Sequence, residues 1–185
     1  MTEYRTRWAT SADLPALRSL MALAIDGLQL EFLSPERVVA SRAIMGLDTQ
    51  LVEDGTYLLA ERNGVIAGCG GWSRRATLYG GDHSADLRDP KLLDPTQDAA
   101  KIRAMYTHPA FARQGVGRLI LFECEKAAAA AGFSVVELMA TLSGERLYAV
   151  SGYQPVETVE AKVEGVVVPL IRMRKSLRRD QHIIA

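Results

Sequence analysis

The stretch Tyr106-Thr-His-Pro-Ala-Phe-Ala-Arg-Gln-Gly-Val-Gly-Arg118 holds the residue types and spacing best suited to chemistry in this chain. A strand-like run enters a short turn, and two glycines lead straight into a helix. The first four N–H groups of a helix lack partners inside it, and aligned peptide dipoles place partial positive charge there. Glycines allow a large anion close to that backbone, which makes a cradle for a phosphate or pyrophosphate. Arg113 and Arg118 bracket the cradle with fixed positive charge, and Gln114, Gly115, Val116 and Gly117 lie between them. A plain tight turn would use the same glycines to relieve strain. Two nucleotide motifs are excluded: no Gly-Lys-Ser/Thr follows, and no third glycine stands at the dinucleotide-binding spacing.

Other chemistries find little support. The two cysteines, Cys69 and Cys124, show neither metal-ligand nor redox spacing. Cys69 falls in an apolar strand pattern and Cys124 on an apolar helix face, so both are expected reduced and buried. His83, His108 and His182 are scattered, so no metal site is expected. Lys plus Arg and Asp plus Glu both number 22, so no bulk charge draws the protein to nucleic acid or to an anionic membrane. No apolar run approaches the ~20 residues of a membrane span. The start, Met1-Thr-Glu-Tyr-Arg, lacks a signal peptide's apolar core, and a cytoplasmic protein is expected.

The elements that must position the cradle are legible in outline. At 185 residues with 48% hydrophobic content, one domain over 1–174 with a polar tail over 175–185 is expected. Residues 4–9 read as a strand. Thr10-Ser11-Ala12-Asp13 starts a helix running to about Leu28, with Pro15 tolerated in its first turn. Ser34-Pro35-Glu36 opens a second helix to about Met45, and 48–53 adds one more turn. The period then switches: 56–62 and 65–73 read as a hairpin about Asn63-Gly64. Gly68, Gly70 and Gly71 mark a bulge, a ligand's close approach or packing beneath a bulky neighbour. Residues 74–97 have no regular period and form a long loop that either lines a pocket or is a solvated insertion. Residues 99–107 form the strand entering the cradle. Val116, Ile120, Cys124, Ala127 and Ala131 stripe the helix beyond it, which Gly132 caps. A buried strand over 135–140, a short helix over 144–151 and a strand pair over 153–161 and 166–173 complete the chain.

The order strand, cradle, helix, strand, then a helix ending in Leu147-Tyr148-x-x-x-Gly152-Tyr153, resembles the GNAT superfamily of N-acetyltransferases. The resemblance covers nearly the whole domain, from Tyr4-Arg5-Thr6-Arg7-Trp8 to the closing strand pair. The family's cofactor motif, Gln/Arg-x-x-Gly-x-Gly/Ala, is matched by Ala112-Arg113-Gln114-Gly115-Val116-Gly117, with Ala112 departing at the first position. The resemblance implies an α/β (α+β) fold: a mixed, mostly antiparallel sheet flanked by helices, with a splayed strand pair forming an acetyl-CoA cleft. It implies that residues 113–118 hold the pyrophosphate of coenzyme A. The strand edge at Met105, Tyr106 and Thr107 would pair with the pantetheine arm, whose two amides can hydrogen-bond a free strand edge as a peptide does.

The implied activity is transfer of an acetyl group from acetyl-CoA to a primary amine, on a small molecule or a protein N-terminus, with no covalent enzyme intermediate. A backbone N–H near Thr107 would polarise the thioester carbonyl. Tyr148 would be the acid that protonates the departing thiolate, unless it is simply a packed aromatic. The base stays open among Asp98, Asp82, His83, His108 and Glu31, because residues 99–104 carry no carboxylate. Thr141 stands where the family commonly has asparagine. Lys101 and Arg103, read as strand charges, would favour an acidic acceptor, and Trp72 either floors the acceptor pocket or fills the core. The alternative activity is a coenzyme A-binding module without catalysis. Edge strands of such a sheet are compatible with a homodimer.

Overall fold

The computed structural model describes residues 4–177. Seven strands form one sheet in the order β1-β2-β3-β4-β5-β7-β6. They are β1 (Arg5–Trp8), β2 (Tyr57–Arg62), β3 (Val65–Ser73), β4 (Ala100–Thr107), β5 (Val135–Thr141), β6 (Gln154–Val163) and β7 (Val166–Ser176). Every neighbouring pair is antiparallel except β4 and β5. The helices are α1 (Leu14–Leu28), α2 (Pro35–Ser41), α3 (Thr49–Glu53), α4 (Val116–Ala130) and α5 (Leu142–Val150). The expected mixed, mostly antiparallel sheet with flanking helices is therefore what the chain builds. Lys175 and Ser176, expected in the tail, close β7 opposite Val136 and Val135. The rest of the expected tail from residue 178, with His182, lies outside the described residues.

Local chemistry sets these boundaries. Asp13 accepts from the Thr10 backbone N–H at 2.8 Å and receives two Arg7 guanidinium nitrogens at 2.7 and 2.9 Å, which ties the entry of α1 to β1. The α2 helix stops four residues before the expected Met45. The N–H groups of Arg42, Ala43 and Ile44 bond three residues back, and the Ser41 hydroxyl donates to the Val38 carbonyl at 2.7 Å, so the last turn tightens and closes. That closure turns Met45 and Gly46 toward the sheet.

Two apolar clusters fill opposite faces of the sheet. Ile120, Cys124 and Ala128 of α4 pack on Ile102, Leu138 and Ala140, together with Trp72, Tyr148 and Tyr153. Leu17, Met21 and Ile25 of α1 pack on Leu59, Cys69 and Tyr106 on the other face, continued by Ile44, Val168 and Leu170. Alternation along β5 is the reason: Leu138 and Ala140 join the first cluster while Met139 joins the second. Trp72 is core, edge-on to Phe133 at 6.2 Å between centroids. Both cysteines are buried and free, and burial pushes the Cys69 thiol up to about 12.

Lys101 and Arg103 correct the expectation of exposed strand charges: both are buried in ion pairs. Lys101 pairs with Glu137, which also accepts from Arg172 at 2.8 Å. Arg103 pairs with the wholly buried Asp48, donates to the Thr77 carbonyl at 3.1 Å, and shares Asp48 with Arg88. The 74–97 loop is anchored by this cluster and by further bonds. Arg75 grips Asp54 through two nitrogens at 2.7 and 2.8 Å, and the Ser84 hydroxyl donates to the Ala43 carbonyl at 2.7 Å. Among the described residues no helix is long and apolar enough to cross a membrane, and no group of three or more His, Cys, Asp or Glu could hold a metal.

Candidate active site

Between β4 and β5 the sheet comes apart. The two strands pair only at Ala100 with Val136 and Lys101 with Glu137, so β4 from Ile102 onward leaves its β5-facing edge free. A bulge drives the divergence. On the β3 side Gly71 pairs with Arg103 and Cys69 with Tyr106, so Ala104 and Met105 together face Gly70. Ala104 takes φ of 51°, unusual for a residue with a Cβ, and the Tyr57 hydroxyl holds it by donating to its carbonyl at 2.9 Å. Any side chain at Gly70 would run into Met105 and Ile120, so that glycine serves both the bulge and the packing beneath it.

The splay opens a cavity of about 1000 Å³ that reaches both faces of the sheet. Met105, Tyr106 and Thr107 line it from β4; Arg113, Gly115, Val116, Gly117 and Arg118 from the cradle; and Arg146, Leu147 and Tyr148 from α5. Gln114 does not border it; its side-chain amide donates to the Ala110 carbonyl at 2.9 Å and braces the turn. The His108 N–H donates to the Ala67 carbonyl on β3 at 2.9 Å, so by strand alternation the preceding N–H, that of Thr107, points away from β3 into the splay.

The cradle presents free donors. The first bond of α4 runs from the Leu119 N–H to the Gly115 carbonyl at 3.0 Å, and among the described residues the N–H groups of Arg113 through Arg118 find no acceptor. Gly115 caps the helix at φ of 86°, a conformation that costs glycine nothing and other residues ~1–2 kcal/mol. A Cβ at Gly117 would meet Leu147 at 2.9 Å, so its small size is what lets α4 and α5 converge on the cavity. Free amides, a helix N-terminus and three arginines (Arg113, Arg118 and Arg146) suit a diphosphate, and the free strand edge beside them suits an amide-bearing arm. The residues present thus fit coenzyme A.

Tyr148 lies in the apolar cluster and borders the cavity, 5.8 Å centroid to centroid from Tyr153. Burial alone raises its phenol above the ordinary tyrosine value, so the proton stays on through neutral and moderately alkaline pH. The Tyr106 phenol accepts from the Gly46 N–H at 2.8 Å, and burial pushes it up too. That bond makes Tyr106 a brace between β4 and the α2–α3 connection. Thr141 immediately precedes α5 without a side-chain bond to the helix backbone, and its hydroxyl lies 3.0 Å from that of Ser143.

Of the five groups considered as base, only Glu31 borders the cavity. Asp98 accepts from the Asp94 N–H, Asp82 from the Thr49 N–H, His83 meets the Arg42 carbonyl, and His108 accepts from the Ala110 N–H. Each of those four is engaged in local structure. Glu31 stands at the rim, 3.8 Å from Arg113.

Several wall residues escape sequence reasoning: Gln29, Phe32, Met45, Tyr79, Met139, Arg146 and Leu170. They come from six separate regions of the chain. The apolar residues Leu28, Leu30, Phe32 and Leu33, which continue past the end of α1, are a local signal that something besides a solvated turn lies there. Leu78, Tyr79 and Gly80 bring the 74–97 loop to the cavity wall, which resolves that loop in favour of a lining role.

Comparison with known proteins agrees with this architecture. A GCN5-related N-acetyltransferase from Rhodopseudomonas palustris shares the fold with a TM-score of 0.70 over 96% of this chain and 98% of that one, at 20% identity. PaiA N-acetyltransferase from Thermoplasma acidophilum, solved in complex with coenzyme A, gives 0.64 over 94% and 99% at 15% identity. YncA from Salmonella typhimurium, solved with its cofactor acetyl-CoA, gives 0.62 over 96% of each chain at 19% identity. No curated protein matches the chain significantly in sequence. The model of the acetyltransferase (GNAT) family matches residues 24–153, well over half the length, and the chain belongs to that family.

Proposed function

We propose that the protein transfers an acetyl group from acetyl-CoA to a primary amine by direct attack within a ternary complex. The observation that carries this reading is the run of unpartnered amides from Arg113 to Arg118 beside a cavity that passes through the splay of β4 and β5. The cradle amides with Arg113 and Arg118 hold the diphosphate, and the free edge at Met105, Tyr106 and Thr107 takes the pantetheine amides. Two structures of the same fold, solved with coenzyme A and with acetyl-CoA, support the choice of ligand. Acetyl-CoA supplies an activated acetyl thioester; every other contribution belongs to the chain.

The Thr107 N–H is a preorganised donor for the carbonyl oxygen, since it faces the splay and needs no reorganisation to act. Tyr148 keeps its proton at neutral pH and donates it to the departing sulfur. An amine near pKa ~10 is mostly protonated at pH 7, and Glu31 at the rim draws off that proton through water. Neither cysteine forms an acyl intermediate: both are fully buried thiols raised by burial.

Thiol release from acetyl-CoA in the presence of primary amines tests the activity, with mass spectrometry of the amine product. Amine-dependent release is expected. Coenzyme A binding in calorimetry without any such release would leave the rival reading, a binding module without catalysis.

A further inference from the structure

The cavity is chemically divided. Three of its cations, Arg113, Arg118 and Arg146, belong to the cradle and to α5, and Arg113 lies 3.8 Å from Glu31 at the rim. On the α1–α2 face the wall is Ile25, Phe32, Met45, Tyr79, Met139 and Leu170, drawn from α1, the α1–α2 connection, the α2–α3 connection, the 74–97 loop, β5 and β7. Arg103 also borders the cavity, but its guanidinium is committed: it pairs with Asp48 and donates to the Thr77 carbonyl, and neither of these partners borders the cavity. Gln29 and Glu31 are polar side chains in this wall, Glu31 at its rim. Gln29 is 4% exposed, its amide nitrogen meets only the Met45 sulfur at 3.8 Å, and its carbonyl oxygen is buried without a donor. A buried acceptor with no donor is expensive, and an amine N–H is the donor it lacks.

We infer that the acceptor is an amine carried on an apolar, carboxylate-free body, seated against Phe32, Met45, Tyr79 and Leu170 with its nitrogen toward Gln29. This rests on the acetyltransferase reading and narrows it. A carboxylate beside the amine would enter an apolar wall without a free cation to meet it, which disfavours α-amino acids. A small polar amine would leave the wall unfilled and lose the burial that supplies affinity.

Calorimetry with coenzyme A as the unreactive stand-in tests this in two steps. Coenzyme A is titrated first; failure to bind overturns the acetyltransferase reading and this inference with it. The coenzyme A-saturated protein is then titrated with 2-phenylethylamine, phenylalanine and ethanolamine, which share an amine but differ in carboxylate and apolar body. Phenylethylamine is expected to bind roughly 30-fold tighter than ethanolamine, the equivalent of burying one aromatic ring, and at least about 10-fold tighter than phenylalanine, whose carboxylate would be buried unpaired. Tyr79→Ala is expected to weaken phenylethylamine roughly 10-fold and leave coenzyme A affinity unchanged. With coenzyme A bound, equal affinities across the three amines, or no binding of phenylethylamine, overturn the inference alone. Tighter binding of phenylalanine also overturns it, and would assign Arg103 Nε, buried without a partner, to the acceptor's carboxylate.

Discussion

Tyr148 stands where the packed core meets the cavity. Its ring packs in the α4-side cluster while its edge borders the cavity, and the same desolvation that stabilises the packing keeps its proton in place. Tyr148→Phe retains the ring and removes only the hydroxyl. For a proton donor, kcat should fall roughly 100-fold while KM for acetyl-CoA barely moves. Steady-state kinetics decides the matter, since a packing role would leave kcat intact. In the wild type, Tyr148 should impose no alkaline loss of rate below pH 10. The Leu-Tyr-x-x-x-Gly-Tyr pattern is legible because it spans only the end of one short helix and the turn after it, and the structure sets Tyr148 at the cavity wall. Gln29 and Tyr79 are invisible at that level: each is an ordinary residue until a fold brings it to a wall shared with β7.

The bulge in β4 shapes the cleft. Ala104 with positive φ is held by the Tyr57 hydroxyl, which also contacts the Cys69 sulfur at 3.2 Å. Tyr57→Phe should destabilise the fold by about 1 kcal/mol, or roughly 2–4 °C in Tm, as a buried carbonyl loses its donor. It should also raise KM for acetyl-CoA, because a relaxed bulge allows β4 to close toward β5. Thermal unfolding and a substrate titration on the same preparation measure both, and a stable variant with unchanged KM would detach the bulge from the cleft. The strand, cradle and helix are readable from residues 99–132 because period and glycine placement are local properties. The bulge is not, since nothing in Arg103-Ala104-Met105 announces a left-handed alanine, though the glycines facing it in β3 are a partial sign. The early end of α2 is likewise hidden, because Ser41 and the turn after it act through hydrogen bonds that no periodicity records.

Across the whole molecule, buried and half-buried ion pairs tie the loops to the sheet. Asp48 joins Arg103 of β4 to Arg88 of the long loop. Asp48→Asn would leave two arginines facing an uncharged partner, and a cost of about 3–5 kcal/mol is expected, measured by denaturant unfolding. Loss should concentrate in the 74–97 loop, where amide exchange would speed up. Asp13 sets an acid limit. Arg7 holds its carboxyl well below the usual carboxylate range, helped by Thr10 and opposed by burial. A depressed pKa in the folded state stabilises above the unfolded value of about 4 and is lost as pH falls toward the folded value. Stability should therefore decline below about pH 4, and Asp13→Asn should flatten that decline while lowering stability at neutral pH. An unchanged acid slope in the variant would assign the decline to other carboxylates.

The parting of β4 from β5 turns the sheet into a partition with a single window. A nucleotide-tailed donor arriving along α4 and an amine arriving beneath α1 would occupy opposite rooms, with their reactive atoms adjacent only in the opening. Neither occupant obstructs the other's doorway, so an analogue of either reactant should compete with its own counterpart alone, and double-reciprocal rate plots should intersect rather than run parallel.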